Sequence, residues 1–157
     1  NLAWQESQRG HVVAQSLNFE VDPRIGALAF VPSTELSTSK ARKMLPETIP
    51  HSEAVKNSSN VAVLVQALQH RPDLLLGATE DYLHQSYRKD AMPNSFALMT
   101  KLRKAGVAAF ISGAGPTVLV LHTGGDAEAG ELERAAGDKF QMIPLGISRT
   151  GVSVVTA

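Results

Sequence analysis

Cysteine is absent from this chain of 157 residues, and so are long apolar runs. The lack of cysteine excludes disulfides, thiol nucleophiles and cysteine-ligated zinc. Because no run of about 18 apolar residues occurs, we expect no membrane span. No signal peptide is visible, and we expect a cytoplasmic protein. Lys plus Arg equals Asp plus Glu, 15 each, so the basic surface that a nucleic-acid partner requires is missing.

Histidine is scattered along the chain, and no two histidines are four residues apart (His11, His51, His70, His84, His122). A histidine pair at that spacing on one helix face is a common metal-binding pattern. Its absence predicts that the chain has no metal centre. The hydrophobic fraction is 43%, which is enough for a core in one domain or at most two small ones.

The most informative stretch is a glycine-rich turn between two apolar runs. Residues 107–111 and 118–121 are rich in Val, Ile, Leu and Phe and are predicted to be buried strands. Gly113 and Gly115 between them permit positive φ, and the N–H groups of such a turn can form an anion-binding concavity. No helix follows the glycines, as a P-loop would require. Taken alone, the stretch favours a plain hairpin turn, with an anion or substrate loop as the alternative.

The remaining elements follow from periodicity and turn signals. Polar residues 1–10 are predicted to form a turn or the broken end of something longer. A short helix is predicted between a cap at Ser37 or Thr38 and Pro46. The other predicted helices are 50–70, 73–79, 93–106 and 127–138, and the other predicted strands are 11–20, 26–31, 140–147 and 151–156. This order predicts an α+β fold with a ferredoxin-like core, in which helices cover one face of a mainly antiparallel sheet.

Two helical stretches carry polar residues that suit a small ligand. Thr38 and Arg42 are four residues apart and share a helix face. A hydroxyl and a guanidinium suit a carboxylate, although the residues alone favour a plain amphipathic helix. Residues 81–88, taken alone, predict the exposed end of a helix, with His84 as a hydrogen-bonded packing residue and Arg88 as a surface cation. Asn57 is predicted to face solvent or another helix, with a position facing a substrate as the alternative.

Three separated stretches resemble one family in the same order. Residues 37–42, Ser-Thr-Ser-Lys-Ala-Arg, resemble the Ser-Thr-x-x-Ala-Arg segment of homoserine kinases. Residues 83–88, Leu-His-Gln-Ser-Tyr-Arg, resemble their Leu-His-Gln-Pro-Tyr-Arg segment, with Ser86 in place of the usual proline. Residues 112–117, Ser-Gly-Ala-Gly-Pro-Thr, resemble the third motif of the GHMP kinases, the superfamily that contains homoserine kinases. The resemblance is weakest before Gly26 and after Gly124.

The resemblance implies transfer of the γ-phosphate of ATP, accompanied by Mg²⁺, to L-homoserine. The product would be O-phospho-L-homoserine, on the threonine biosynthesis pathway. Substrate binding is implied for Thr38, Arg42, Arg88 and Gly113. Support of the phosphate loop is implied for Ser112, Gly113, Ala114 and Gly115. The chemistry agrees, because two guanidinium groups suit an α-carboxylate and phosphoryl transfer depends mostly on positioning.

One feature of the family is not found in this sequence. GHMP kinases carry a Pro-x-x-x-Gly-Leu-Gly-Ser-Ser phosphate loop, and no such run occurs here. We therefore expect residues 1–157 to be the C-terminal, substrate-side domain, with the ATP loop on an N-terminal half of the same protein. This chain would then carry no catalytic residue and be inactive alone. The alternatives are a GHMP kinase for another small alcohol, or a non-catalytic ferredoxin-like ligand-binding domain. The neutral surface and exposed sheet edges also allow a homodimer.

Overall fold

The computed structural model describes residues 2–8 and 11–148. Within them, β1 (Leu2–Gln8) and β2 (His11–Leu17) form an antiparallel ribbon. A second antiparallel sheet has the order β4-β5-β3-β6. Its strands are β3 (Gly26–Pro32), β4 (Ala108–Ile111), β5 (Val118–His122) and β6 (Phe140–Leu145). The helices are α1 (Thr38–Lys43), α2 (His51–Gln69), α3 (Leu75–Ala78), α4 (Pro93–Lys104) and α5 (Gly125–Ala136).

The α+β class and the antiparallel sheet are confirmed. The prediction that helices cover one face of the sheet is wrong, because helices pack on both faces. Alternate strand residues point to opposite sides. Phe30, Val118 and Val120 are fully buried on one side, in a core cluster with residues of α4 and α5. On the other side, Ala108 of β4 and Leu121 of β5 pack with residues of α2 and α3. Helix α2 and the other end of β4, where the glycine-rich turn begins, line one cleft.

Two predicted segments differ from the structure. The N-terminal stretch, predicted as a turn or broken end, is strand β1, whose residues pair in register from Leu2 with Leu17 to Gln8 with His11. Residues 81–88 form a loop of bends and turns and not the end of a helix. The predicted strand 151–156 lies outside the described residues. Among the helices that the structure describes, none is long and apolar enough to cross a membrane.

Asp22 and Arg24 close the turn that leads into β3. The Asp22 side chain is 9% exposed, and its carboxylate accepts hydrogen bonds from Arg24 Nη2 at 2.6 Å and from the Arg24 backbone N–H at 2.9 Å. The side-chain hydrogen bond from Arg24, followed by the backbone bond, lowers the pKa of Asp22 from 3.8 to about 2.

The Asp22–Arg24 turn makes the free energy of unfolding depend on pH in the acid range. Since the folded pKa lies below the unfolded one, Asp22 stabilises the fold fully above about pH 4, and this contribution is lost as the pH falls towards about 2. We expect the free energy of unfolding of Asp22→Asn to fall less than that of the wild type between about pH 5 and pH 2. Urea unfolding at several pH values measures both slopes, and equal slopes would contradict the prediction.

Candidate active site

A cleft of about 510 Å³ lies between α1, α2, the loop after α3 and the glycine-rich turn. The predicted residues Thr38, Arg42, Arg88, Gly113 and Ala114 all line it, although they come from three separate stretches of sequence. Ser112 and Gly115 belong to the same turn but do not line the cleft. The fold therefore brings the three matched stretches to one place, while the binding roles of their residues stay predictions.

Helix α1 has one buried residue, Ala41, and presents Thr38 and Arg42 on its exposed surface. Ser37 caps the helix, with its hydroxyl accepting a hydrogen bond from the Lys40 backbone N–H at 3.3 Å. Ala41 is fully buried, and Leu36 packs against the main core cluster. Thr38 and Arg42 are exposed and line the cleft, so both side chains can reach a ligand there.

Arg88 is the most unusual group in the cleft. It is only 7% exposed, so its prediction as a surface cation is wrong. Its Nη1 donates to the Gly113 carbonyl at 3.1 Å, whereas its buried Nε has no hydrogen-bond partner among the described residues. A buried cation is costly unless an anion or several acceptors satisfy it. Arg88 is therefore a buried cation whose charge is only partly compensated by the residues that the structure describes.

Asp81 shapes the loop that carries Arg88. Its carboxylate accepts hydrogen bonds from the backbone N–H groups of Leu83, His84 and Gln85, at 3.2, 2.8 and 2.6 Å. His84 Nδ1 lies 3.1 Å from the same carboxylate. Burial raises the pKa of Asp81, but the hydrogen bonds from Gln85, His84 and Leu83 outweigh it and lower the pKa below 3.8. His84 is hydrogen-bonded, as predicted, but 47% exposed on the cleft wall.

Helix α2 holds the same loop from the opposite side. Asn57 Oδ1 accepts a hydrogen bond from the Tyr82 backbone N–H at 3.1 Å, and Asn60 Nδ2 donates to the Glu80 carbonyl at 3.0 Å. Both asparagines line the cleft, so the alternative position of Asn57, facing a substrate, stays a prediction. Sequence reasoning missed these contacts because the partners are 20 and 25 residues apart.

The glycine-rich turn closes the β4–β5 hairpin and also faces the cleft. The Ser112 N–H donates to the Thr117 carbonyl at 2.9 Å, and the Gly115 N–H donates to the Ser112 carbonyl at 3.0 Å. Gly113 and Gly115 have φ of 57° and 88°, in the left-handed region that favours glycine. The stretch is thus a hairpin turn whose Gly113 carbonyl also holds Arg88.

Comparison with known proteins identifies the family. Residues 63–139 match the family described as GHMP kinases C terminal. The chain is 43% identical over 154 residues to a homoserine kinase of Streptomyces avermitilis, covering 98% of this chain and 48% of that relative. It is 49% identical over 111 residues to a homoserine kinase of Rhodococcus opacus, covering 71% of this chain and 35% of that relative. This chain contains the C-terminal domain of the GHMP kinase family.

A solved structure supports the same fold for this GHMP kinase domain. The crystal structure of a homoserine kinase from Cytophaga hutchinsonii superposes with a TM-score of 0.69 at 23% identity, covering 85% of this chain and 44% of that chain. The ferredoxin-like C-terminal fold that the sequence predicts is therefore confirmed. This chain spans about half the length of the Streptomyces and Cytophaga proteins.

The two motif glycines, Gly113 and Gly115, are expected to differ in their tolerance of alanine. A Cβ at Gly115 would lie 2.6 Å from Met92 Sδ and 3.1 Å from Ile111 Cγ2, whereas a Cβ at Gly113 would meet nothing within 4 Å. Gly113→Ala should cost about 1 kcal/mol, from the positive φ alone. Gly115→Ala should cost about 2–3 kcal/mol, because overpacking adds to the strain. Urea unfolding measures both, and a smaller loss for Gly115→Ala would contradict this ranking.

Proposed function

We propose that the complete protein is a homoserine kinase and that the cleft of this chain binds its substrate, L-homoserine. The observation that carries the proposal is the environment of Arg88. This guanidinium is buried, its Nε lacks a hydrogen-bond partner among the described residues, and it shares the cleft with the exposed Arg42. The names of the similar proteins favour homoserine among the small alcohols that a GHMP kinase could use.

The two arginines hold the α-carboxylate of homoserine in this proposal. Arg88 is tied to the Gly113 carbonyl, so it fixes the carboxylate relative to the glycine-rich turn. Arg42 approaches from α1 and completes the charge pairing, and Thr38 adds a hydroxyl on the same helix face. With the carboxylate fixed, the side-chain hydroxyl of homoserine has a limited range of positions. Such positioning is the main protein contribution to phosphoryl transfer.

The nucleotide end of the site belongs to an N-terminal half of the same protein in this proposal. Among residues 2–8 and 11–148, no group of three or more His, Asp or Glu residues could hold a metal ion. In this proposal Mg²⁺ is bound together with ATP by groups of the N-terminal half. When bound, ATP supplies the γ-phosphate, and the turn of Ser112, Gly113, Ala114 and Gly115 supports the loop that holds it. The reaction would serve threonine biosynthesis in the cytoplasm.

An ADP-release assay on the complete protein tests the proposal. L-Homoserine should stimulate ADP release from ATP and Mg²⁺, whereas mevalonate should not. Turnover of mevalonate without turnover of homoserine would assign the protein to another branch of the superfamily. Turnover of neither substrate would favour a non-catalytic ligand-binding domain. The homodimer that the sequence allows stays a prediction, which sedimentation of the complete protein tests.

A further inference from the structure

Gln85 is a buried polar residue that the proposed substrate contacts do not use. It is 8% exposed and lies three residues before Arg88 in the loop that follows α3. Its Oε1 accepts a hydrogen bond from the backbone N–H of Ile111 at 2.6 Å. Only the oxygen of the amide can face this N–H, so the contact fixes the orientation of the Gln85 side chain.

Two hydrogen bonds join this loop to the hairpin. Gln85 accepts from Ile111, the last residue of β4, and Arg88 donates to the carbonyl of Gly113, two residues further along. The Arg88 backbone N–H also donates to the His84 carbonyl at 3.2 Å. This closes one turn around Gln85, so the Gln85 and Arg88 side chains reach the same part of the hairpin.

We propose that Gln85 is a positioning residue for substrate binding, acting through Arg88. The Gln85–Ile111 hydrogen bond fixes the position of the loop relative to β4. It thereby places the Arg88 guanidinium beside Gly113 in the cleft. Without that bond, the buried Ile111 N–H would lose its acceptor and the Arg88 side chain would gain alternative positions. This inference rests on the proposed binding of the homoserine carboxylate by Arg88, and it assigns Gln85 no contact with the substrate.

Steady-state kinetics of Gln85→Met in the complete protein test the proposal. Methionine has a similar length and no amide acceptor, so it fills the space without holding Ile111. We expect the KM for L-homoserine to rise about tenfold and the KM for ATP to stay within about twofold of wild type. The matched control is Gln141→Met, at an exposed position of β6 on the far edge of the sheet from β4. In Gln141→Met, the KM for L-homoserine and the KM for ATP should both equal those of the wild type.

A double variant separates positioning from simple stabilisation. If Gln85 acts through Arg88, adding Gln85→Met to an Arg88→Met protein should change the homoserine KM by less than about twofold. If the two losses instead multiply, Gln85 acts independently and the proposal is overturned. A lower Tm for Gln85→Met with an unchanged homoserine KM would also overturn it, because the role would then be structural only.

Three further outcomes of these experiments can be interpreted. Should Gln85→Met fail to fold, Gln85→Asn replaces it, because an amide one methylene shorter cannot hold the same contact with Ile111. The KM and double-variant expectations are the same for that substitution. If the wild-type protein fails to phosphorylate homoserine, both the proposed function and the role of Gln85 are overturned. If the wild type is active but the KM of the variant is not shifted, only the role of Gln85 is overturned.

Discussion

Arg88→Met in the complete protein should lower kcat/KM for L-homoserine about a thousandfold, while the KM for ATP stays within about twofold. The loss corresponds to about 4 kcal/mol, within the range for truncating one partner of a buried, hydrogen-bonded charge pair. Arg88 is nearly inaccessible and already tied to Gly113, so no solvent ion replaces it easily. The nucleotide should be affected little, because this chain contains no phosphate loop.

Replacing Arg42, the second arginine proposed to bind the carboxylate, should have a smaller effect than replacing Arg88. It lines the cleft but is exposed on α1, so solvent screens its charge more strongly. Arg42→Met should therefore reduce kcat/KM for homoserine only about tenfold to thirtyfold. Arg134→Met, at an exposed position of α5 outside the cleft, is the matched control and should have no effect.

Equal losses of affinity for homoserine and ATP in Arg88→Met would mean that Arg88 is structural.

Arg103→Met should lower the free energy of unfolding by about 3 kcal/mol. The Arg103 side chain is 16% exposed and links three segments behind the cleft. Its Nη1 donates to Thr79 Oγ1 and to the Ala109 carbonyl, both at 3.0 Å, and its Nη2 donates to the Leu76 carbonyl at 2.6 Å. Methionine would remove these three hydrogen bonds. The Leu76 carbonyl keeps a second donor, the Thr79 hydroxyl at 3.2 Å, so the cost falls mainly on the other acceptors.

Urea unfolding followed by circular dichroism measures this loss. Arg103→Lys should lose about 1–2 kcal/mol, because lysine keeps the charge but lacks the planar fork that reaches several acceptors at once. Burial lowers the pKa of Arg103, with Glu80 opposing the effect, but arginine stays charged at any pH of the experiment. Arg134→Met is again the exposed control. If Arg103→Met and the control lose the same free energy, the linking role of Arg103 is wrong.

The regular elements were predictable because their residues follow a period. Phe96, Met99 and Leu102 recur on one side of a predicted helix and pack against the main core cluster in α4. Val118 and Val120 alternate along β5 and are fully buried. Strand β1 was missed because the ribbon buries no apolar face. Its Leu2 and Trp4 are 40% and 46% exposed, so there is no alternation of buried and exposed residues to find.

The cleft was predictable only from the family resemblance. Residues 81–88 have no helical or strand period, and their positions depend on contacts with residues far along the chain. Gln85 reaches Ile111 across 26 residues, and Arg88 reaches Gly113 across 25. Local patterns cannot reveal such pairs, which is why the burial of Arg88 was wrongly predicted from the residues alone. The motifs identified the stretches that meet in the cleft, but not the hydrogen bonds that hold them there.

The central claim is that the cleft recognises the α-carboxylate of an amino acid that carries a primary alcohol. The most direct test compares L-homoserine with 3-aminopropan-1-ol, which keeps the amine and the alcohol but lacks the carboxylate. With the complete protein and saturating ATP, kcat/KM should be about a thousandfold higher for homoserine, and Arg88→Met should remove most of that difference. Equal kcat/KM values for the two alcohols in the wild type would contradict the claim.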